Sequence, residues 1–182
     1  MAYADGYPIK LVAGRLALDF INTADWSADG TVVKELMPRP ADARVWMGKA
    51  VPERVSVPED IGALHALRAA LRTLFMGGDG TMAISLINRL LHDMPQETLR
   101  LEGGQVFGGS GATLPQFVAV SALAILADPR EIKRVKCCPG DACGWLFLDE
   151  TRNARRRWCM METCGNRAKA RRNYARRKHA GD

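Results

Sequence analysis

An α+β chain is predicted: a mostly helical N-terminal domain with a small β-hairpin, then a short C-terminal module of hairpin and helix. Three observations predict it. Apolar residues recur at helical spacing over 59–75, 81–93 and 114–126. Thr98-Leu-Arg-Leu-Glu102 and Gln105-Val-Phe107 alternate around Gly103-Gly104, the pattern of a hairpin. All five cysteines of the 182 residues fall between Cys137 and Cys164, four of them spaced Cys138-x4-Cys143-x15-Cys159-x4-Cys164. A disulfide scaffold would scatter its cysteines, so this clustering points to a metal site and a reducing compartment.

Leu16 to Thr23 is a short apolar run, strand or helix, that ends in Asn-Thr punctuation. Residues 29–58 carry four of the nine prolines and should wrap the domain, with a helix around Pro40–Gly48. Pro58-Glu-Asp opens the next helix with acids at the positive end of its dipole. That helix presents Ile61, Leu64, Leu67, Leu71 and Leu74 and ends at Gly77-Gly78. Thr81 is the expected N-cap of a second helix carrying Ile84, Ile87, Leu90 and Leu91. Gly108–Gly111 reads as a loop. Leu114–Leu126 is nearly all apolar, hence central to the core, and Asp128-Pro129 stops it. The boundary is placed there, giving domains 1–128 and 129–182.

The last third differs in charge. Residues 1–129 hold 11 basic and 14 acidic side chains, whereas residues 130–182 hold 15 and 6. From Arg152 to Lys178 eleven bases face one acid, Glu162. The net charge of +6 therefore belongs to the C-terminal module, and only there does it imply a polyanionic partner.

Within that module, Pro139-Gly140 lets the chain turn sharply between Cys138 and Cys143. Trp145–Leu148 reads as one strand, and Arg155–Cys159 as the strand that returns the third ligand. Cys164 would supply the fourth at the start of a helix running through Lys178. Knuckle, hairpin and helix make a treble-clef-like zinc finger, with Cys138, Cys143, Cys159 and Cys164 holding one structural Zn2+. Four thiolates leave no open coordination position for catalysis. Cys137 cannot share a metal with Cys138 in a strand, whose neighbouring side chains point oppositely.

The motifs Cys138-x4-Cys143-Gly-Trp-Leu-Phe-Leu-Asp149, Arg156-Arg-Trp-Cys159 and Cys164-Gly-Asn-Arg167-Ala-Lys169 resemble the CGNR zinc finger. Leu16-Ala-Leu-Asp-Phe-Ile-Asn-Thr23 is similar to the opening of the ABATE domain of bacterial stress-induced transcription regulators. Together the resemblances imply a cytoplasmic bacterial DNA-binding regulator with a C-terminal zinc finger, and the lack of a nucleophile elbow, phosphate loop or paired catalytic carboxylates argues against an enzyme. Cys137 departs from the CGNR pattern, which more often has a basic or polar residue there.

A 13-residue helix from Asn166 is near 20 Å long and fits a major groove. The expected nucleic-acid-binding residues are Arg152, Arg155, Arg156 and Arg157 on the hairpin, and Arg167, Lys169, Arg171, Arg172, Arg176, Arg177 and Lys178 on the helix. For Arg167, bracing of the ligand turn weighs as heavily as base contact. Tyr174 is expected to pack on the finger. Asp19 and Asn22 are candidates to line a small-molecule pocket, against the plainer duty of capping a turn. His65 and His92 lack metal-spaced neighbours and read as ordinary helix residues. RNA is the alternative partner, and an enzyme site within 1–128 the alternative function. A regulator reading two half-sites would be a homodimer, and its effector is unknown. The longest apolar run, Phe117–Ala127, is about half the ~20 residues of a membrane span.

Overall fold

The computed structural model describes residues 1–27, 29–51, 55–95, 100–102, 105–107, 111–141 and 143–179, with the backbone alone for 100–102, 105–107 and 178–179. The elements run α1 (Leu16–Ile21), β1 (Ala24–Trp26), β2 (Val32–Glu35), α2 (Pro40–Ala50), α3 (Ile61–Phe75), α4 (Thr81–His92), β3 (Arg100–Glu102), β4 (Gln105–Phe107), α5 (Leu114–Ala127), α6 (Pro129–Ile132), β5 (Val135–Cys137), β6 (Leu146–Leu148) and, after a π-helical turn at Met161–Gly165, α7 (Asn166–His179). The fold is α+β, as expected.

The ambiguous run at 16–21 is helical because it sits at the centre. Ala17, Leu18, Asp19, Phe20 and Ile21 are all buried, with α5, α3 and β6 packed around them. Such an element shows no amphipathic period in sequence, since it has no wet face. Around it, α3 turns Leu64, Leu67 and Leu71 inward, and α5 buries Leu114, Val118, Ala119, Ala122 and Ile125. Asp60 caps α3 by accepting from the Ala63 amide at 3.2 Å. The cap of α4 falls at Gly80, one residue before Thr81, with the Asp79 carboxylate accepting from the Thr81 amide at 3.0 Å. Gln116 Oε1 accepts from the Thr113 amide at 2.8 Å, which fixes the start of α5.

Among the described residues, three two-stranded antiparallel sheets complete the fold. The expected hairpin around Gly103-Gly104 is present as β3 and β4, in register Leu101 with Val106. Gly103, Gly104 and 108–110 lie outside the described residues. β1 and β2 were not expected. In the finger the strands differ from expectation: β6 pairs with β5, Lys136 opposite Phe147, and Arg155–Cys159 forms no strand. The knuckle is therefore the turn of its own hairpin, closed by Gly144 at φ 57, where a Cβ would lie 2.7 Å from the Trp26 carbonyl oxygen.

The C-terminal module does not stand apart. Trp145, Leu146, Phe147 and Leu148 are buried in one continuous core with α1, α3 and α5. Ala13 and Asn22 complete the outer edge of β6. The Leu148 amide donates to the Ala13 carbonyl at 2.8 Å, and Asn22 pairs with both the amide and the carbonyl of Leu146, each at 2.8 Å. No described helix is long and apolar enough to cross a membrane.

Candidate metal centre and basic surface

Cys138 directly follows β5, Cys143 follows the knuckle, Cys159 ends the arginine-rich loop and Cys164 lies in the π-helical turn that launches α7. Their sulfurs all lie within 4.8 Å of one another. The Cys143–Cys159 and Cys159–Cys164 separations are 3.6 and 3.7 Å. A tetrahedron with Zn–S bonds of about 2.3 Å has edges of about 3.8 Å, so the set fits one structural zinc ion. Gly140 lets the knuckle backbone close over the sulfurs, since a Cβ there would lie 3.0 Å from the Cys164 sulfur and 3.4 Å from that of Cys138.

Hydrogen bonds from the Cys143 and Cys159 thiols pull the Cys138 thiol below the ordinary range. Hydrogen bonding to Cys138, with burial, pushes Cys143 and Cys159 above the ordinary thiol range. A divalent ion displaces thiol protons on binding, so affinity falls with falling pH. Cys137 points elsewhere: its sulfur contacts the Gly144 carbonyl at 3.6 Å, and burial raises its pKa. Among the described residues, these four are the only group of three or more His, Cys, Asp or Glu gathered so closely.

Around the cluster, three charged residues order the chain. Asp149, fully buried, accepts from Lys136 Nζ at 2.6 Å, from the Thr151 and Arg156 amides at 3.0 and 2.9 Å, and from the Thr151 hydroxyl at 2.5 Å. Burial would raise its pKa, but these donors outweigh it and hold the carboxyl at about 2. Arg156, expected on the nucleic-acid surface, is turned inward. It donates to the carbonyls of Val12, Leu148, Trp158 and Cys159 at 2.6–3.3 Å and stacks 4.4 Å from the Phe147 ring. Arg156 is a brace. Arg72, buried on α3, reaches across to the Gly144 carbonyl at 2.6 Å while stacking 4.6 Å from the centre of Trp26. Its neighbour Arg68 pairs with Glu35 and the Thr23 hydroxyl.

Sequence reasoning missed the roles of Asp149, Arg72 and Arg68. One signal was available: Leu64, Leu67 and Leu71 put Arg68 and Arg72 on the apolar side of α3.

The remaining bases are displayed. Arg152, Arg155 and Arg157 are exposed on the loop, and Lys169, Arg172, Arg176 and Arg177 are exposed along α7. Arg171 pairs with Asp141 of the knuckle, tying the helix to the metal centre. Arg167, also exposed, lines a cavity of about 270 Å³ with Lys10, Asp25 and the Cys143, Cys159 and Cys164 side chains, beside the cluster. The side chain of Lys178 lies outside the described residues. Tyr174 is 73% exposed, contrary to the expected packing, because α7 rests mainly on the turn at its own start and offers the ring no partner surface.

Asp19 and Asn22, the pocket candidates, are both committed to the backbone. Asp19 accepts from the Val12 and Ala13 amides at 2.8 and 3.0 Å, fixing the chain just before α1. Burial pushes this carboxyl up to about 6 despite those bonds. A folded pKa above the unfolded value makes the ionised form a net cost of about 3 kcal/mol above pH 6, declining as pH falls toward 4. Asp19→Asn keeps the acceptor without the charge. It should raise the melting temperature at pH 8, with an advantage over wild type that shrinks steadily between pH 6 and 4. A pH-independent difference would refute this account.

Asn22→Ala leaves the Leu146 amide and carbonyl unpaired in the core, at about 1–3 kcal/mol each. Denaturant melts should show a loss of about 2–5 kcal/mol, and a loss below 1 would mean the β6 edge finds other partners.

Two family models match the chain. One, the CGNR zinc finger, matches residues 134–177, and the other, ABATE, described as "Putative stress-induced transcription regulator", matches residues 14–129. No curated protein matches it.

Proposed function

We propose that this chain, which belongs to the ABATE family and ends in a CGNR zinc finger, is a DNA-binding transcription regulator of the bacterial cytoplasm, not an enzyme. Cys138, Cys143, Cys159 and Cys164 hold its structural zinc. The observation that carries the reading is α7: residues 169–177 are all exposed, five of them basic and none acidic. A helix with no apolar face gains little from packing and suffers like-charge repulsion at i,i+4 pairs such as Arg172–Arg176. A polyanion supplies the missing counter-charge. Arg152, Arg155 and Arg157 offer a second line of phosphate contacts.

The N-terminal region holds the finger rigidly through Asn22, Arg72 and the shared core. It would transmit an effector signal or pair two copies through that scaffold, not through Asp19 or Asn22 as ligand contacts. Fluorescence anisotropy with labelled duplex DNA across a salt series tests the reading. Log K should fall linearly with log salt, at about 0.9 per phosphate contacted. Absence of binding to duplex DNA together with tight binding to structured RNA would move the function to RNA.

A further inference from the structure

The loop 151–162 borders an open hollow of about 870 Å³ on the surface of the finger. Its floor is apolar: Trp158, Met160, Met161 and Val12 line it. Its exposed charged lining is Arg152, Arg155 and Arg157 against one acid, Glu162. Arg156 passes through the wall, where four of its five N–H donors are held by backbone carbonyls. The volume lies within the ~300–1,000 Å³ typical of sites for small organic groups.

A phosphate alone needs no apolar floor, and a stacked duplex cannot use one, because it presents phosphates and base edges but no ring faces. A flat aromatic ring carried on an anionic backbone satisfies both halves of the site. On the other side of Trp158 a small cleft is lined by Arg167 and Arg171. The hollow thus adjoins the start of α7. Farther along that helix, Tyr174 presents its exposed ring one turn from both Arg171 and Arg177. Alternating aromatic and guanidinium groups are the elements of a stacking platform for unpaired bases.

We propose that this hollow seats an unstacked nucleobase, with Trp158 as the stacking surface and Arg152, Arg155 and Arg157 holding the flanking phosphates. This deepens the nucleic-acid reading and rests on it. The finger then prefers melted, bulged or single-stranded sites to an intact duplex.

The test uses the full zinc-loaded chain and two DNA duplexes of equal length, one intact and one with a single bulged 2-aminopurine. The bulged duplex should bind about 10-fold more tightly, the effect of one stacked base, with a change in 2-aminopurine fluorescence on binding. Trp158→Ala should bring the two affinities together while leaving intact-duplex affinity and zinc content unchanged, and Trp158→Phe should keep most of the preference. Should Trp158→Ala fail to hold zinc, Met161→Glu, at a position 55% exposed, adds a second carboxylate beside Glu162 and should abolish the preference by itself. Equal binding of bulged and intact duplexes by the wild type overturns the inference while sparing the DNA-binding function. A wild type that binds neither overturns that function and the inference with it. A polyglutamate peptide that binds the hollow and is released by Met161→Glu, with no bulge preference, assigns the site to acidic protein segments instead.

Discussion

Cys164→Ser should cost the chain its zinc and, with it, the order of the N-terminal helices as well as the finger. Structural zinc contributes about 10–16 kcal/mol in small modules, as much as or more than the 5–15 kcal/mol by which a domain is ordinarily stable. In a finger joined by a linker that loss would stay local. Here Trp145–Leu148 belong to the core that surrounds α1. The edge of β6 is made by Ala13 and Asn22, and Arg72 of α3 is bonded to Gly144 beside the knuckle. Opening the cluster frees the β5–β6 hairpin and uncovers one side of α1. The variant should contain no stoichiometric zinc, and its thermal melt by circular dichroism should be broad and shifted down across the whole helical signal. A sharp wild-type transition for the N-terminal helices in a zinc-free variant would separate the two halves.

Removing the free bases of α7 should have the largest effect on function. Lys169, Arg172, Arg176 and Arg177 are exposed and make no ion pair within the described residues, whereas Arg171 already pairs with Asp141 and Arg167 sits over the metal centre. Changing the four to Ala should flatten the salt slope by up to about 3.6, at roughly 0.9 for each phosphate that is no longer neutralised. Affinity at low salt should fall by about two orders of magnitude or more. Helix content should not fall, because alanine is the better helix former and the replacement removes repulsion. Zinc content should be unchanged. An unaltered salt slope would take α7 out of the interface.

The cysteine cluster was legible in the sequence because all four ligands come from 27 residues and a knuckle needs only local geometry. The amphipathic helices α3 and α4 were legible for a similar reason, since each shows its buried face in its own spacing. What needed the fold was long-range. β5 is three residues long, too short for an alternating signal, so the partner of β6 could not be found. Arg155–Cys159 looked like that partner because the chain had to return to Cys159, but Arg156 returns it by gathering carbonyls instead of forming a ladder. Arginine on a helix reads as surface, which hid Arg68 and Arg72 in the core, and arginine in a basic run made Arg156 look like a phosphate contact. For Asp19 and Asn22 the sequence left a pocket role open beside the plainer duty of capping a turn. Their partners, the amides at 12–13 and the edge of β6, are visible only in three dimensions.

One metal centre holding both halves of the chain together is the central claim, and hydrogen exchange at α1 tests it most directly. Zinc is withdrawn stepwise with a chelator while exchange is followed at Leu16–Ile21, which lie more than 115 residues from the first ligand in sequence. Amide protection in α1 should fall in step with zinc content, together with that of β6. Protection of α1 that survives complete zinc removal, while the finger alone opens, would contradict the account.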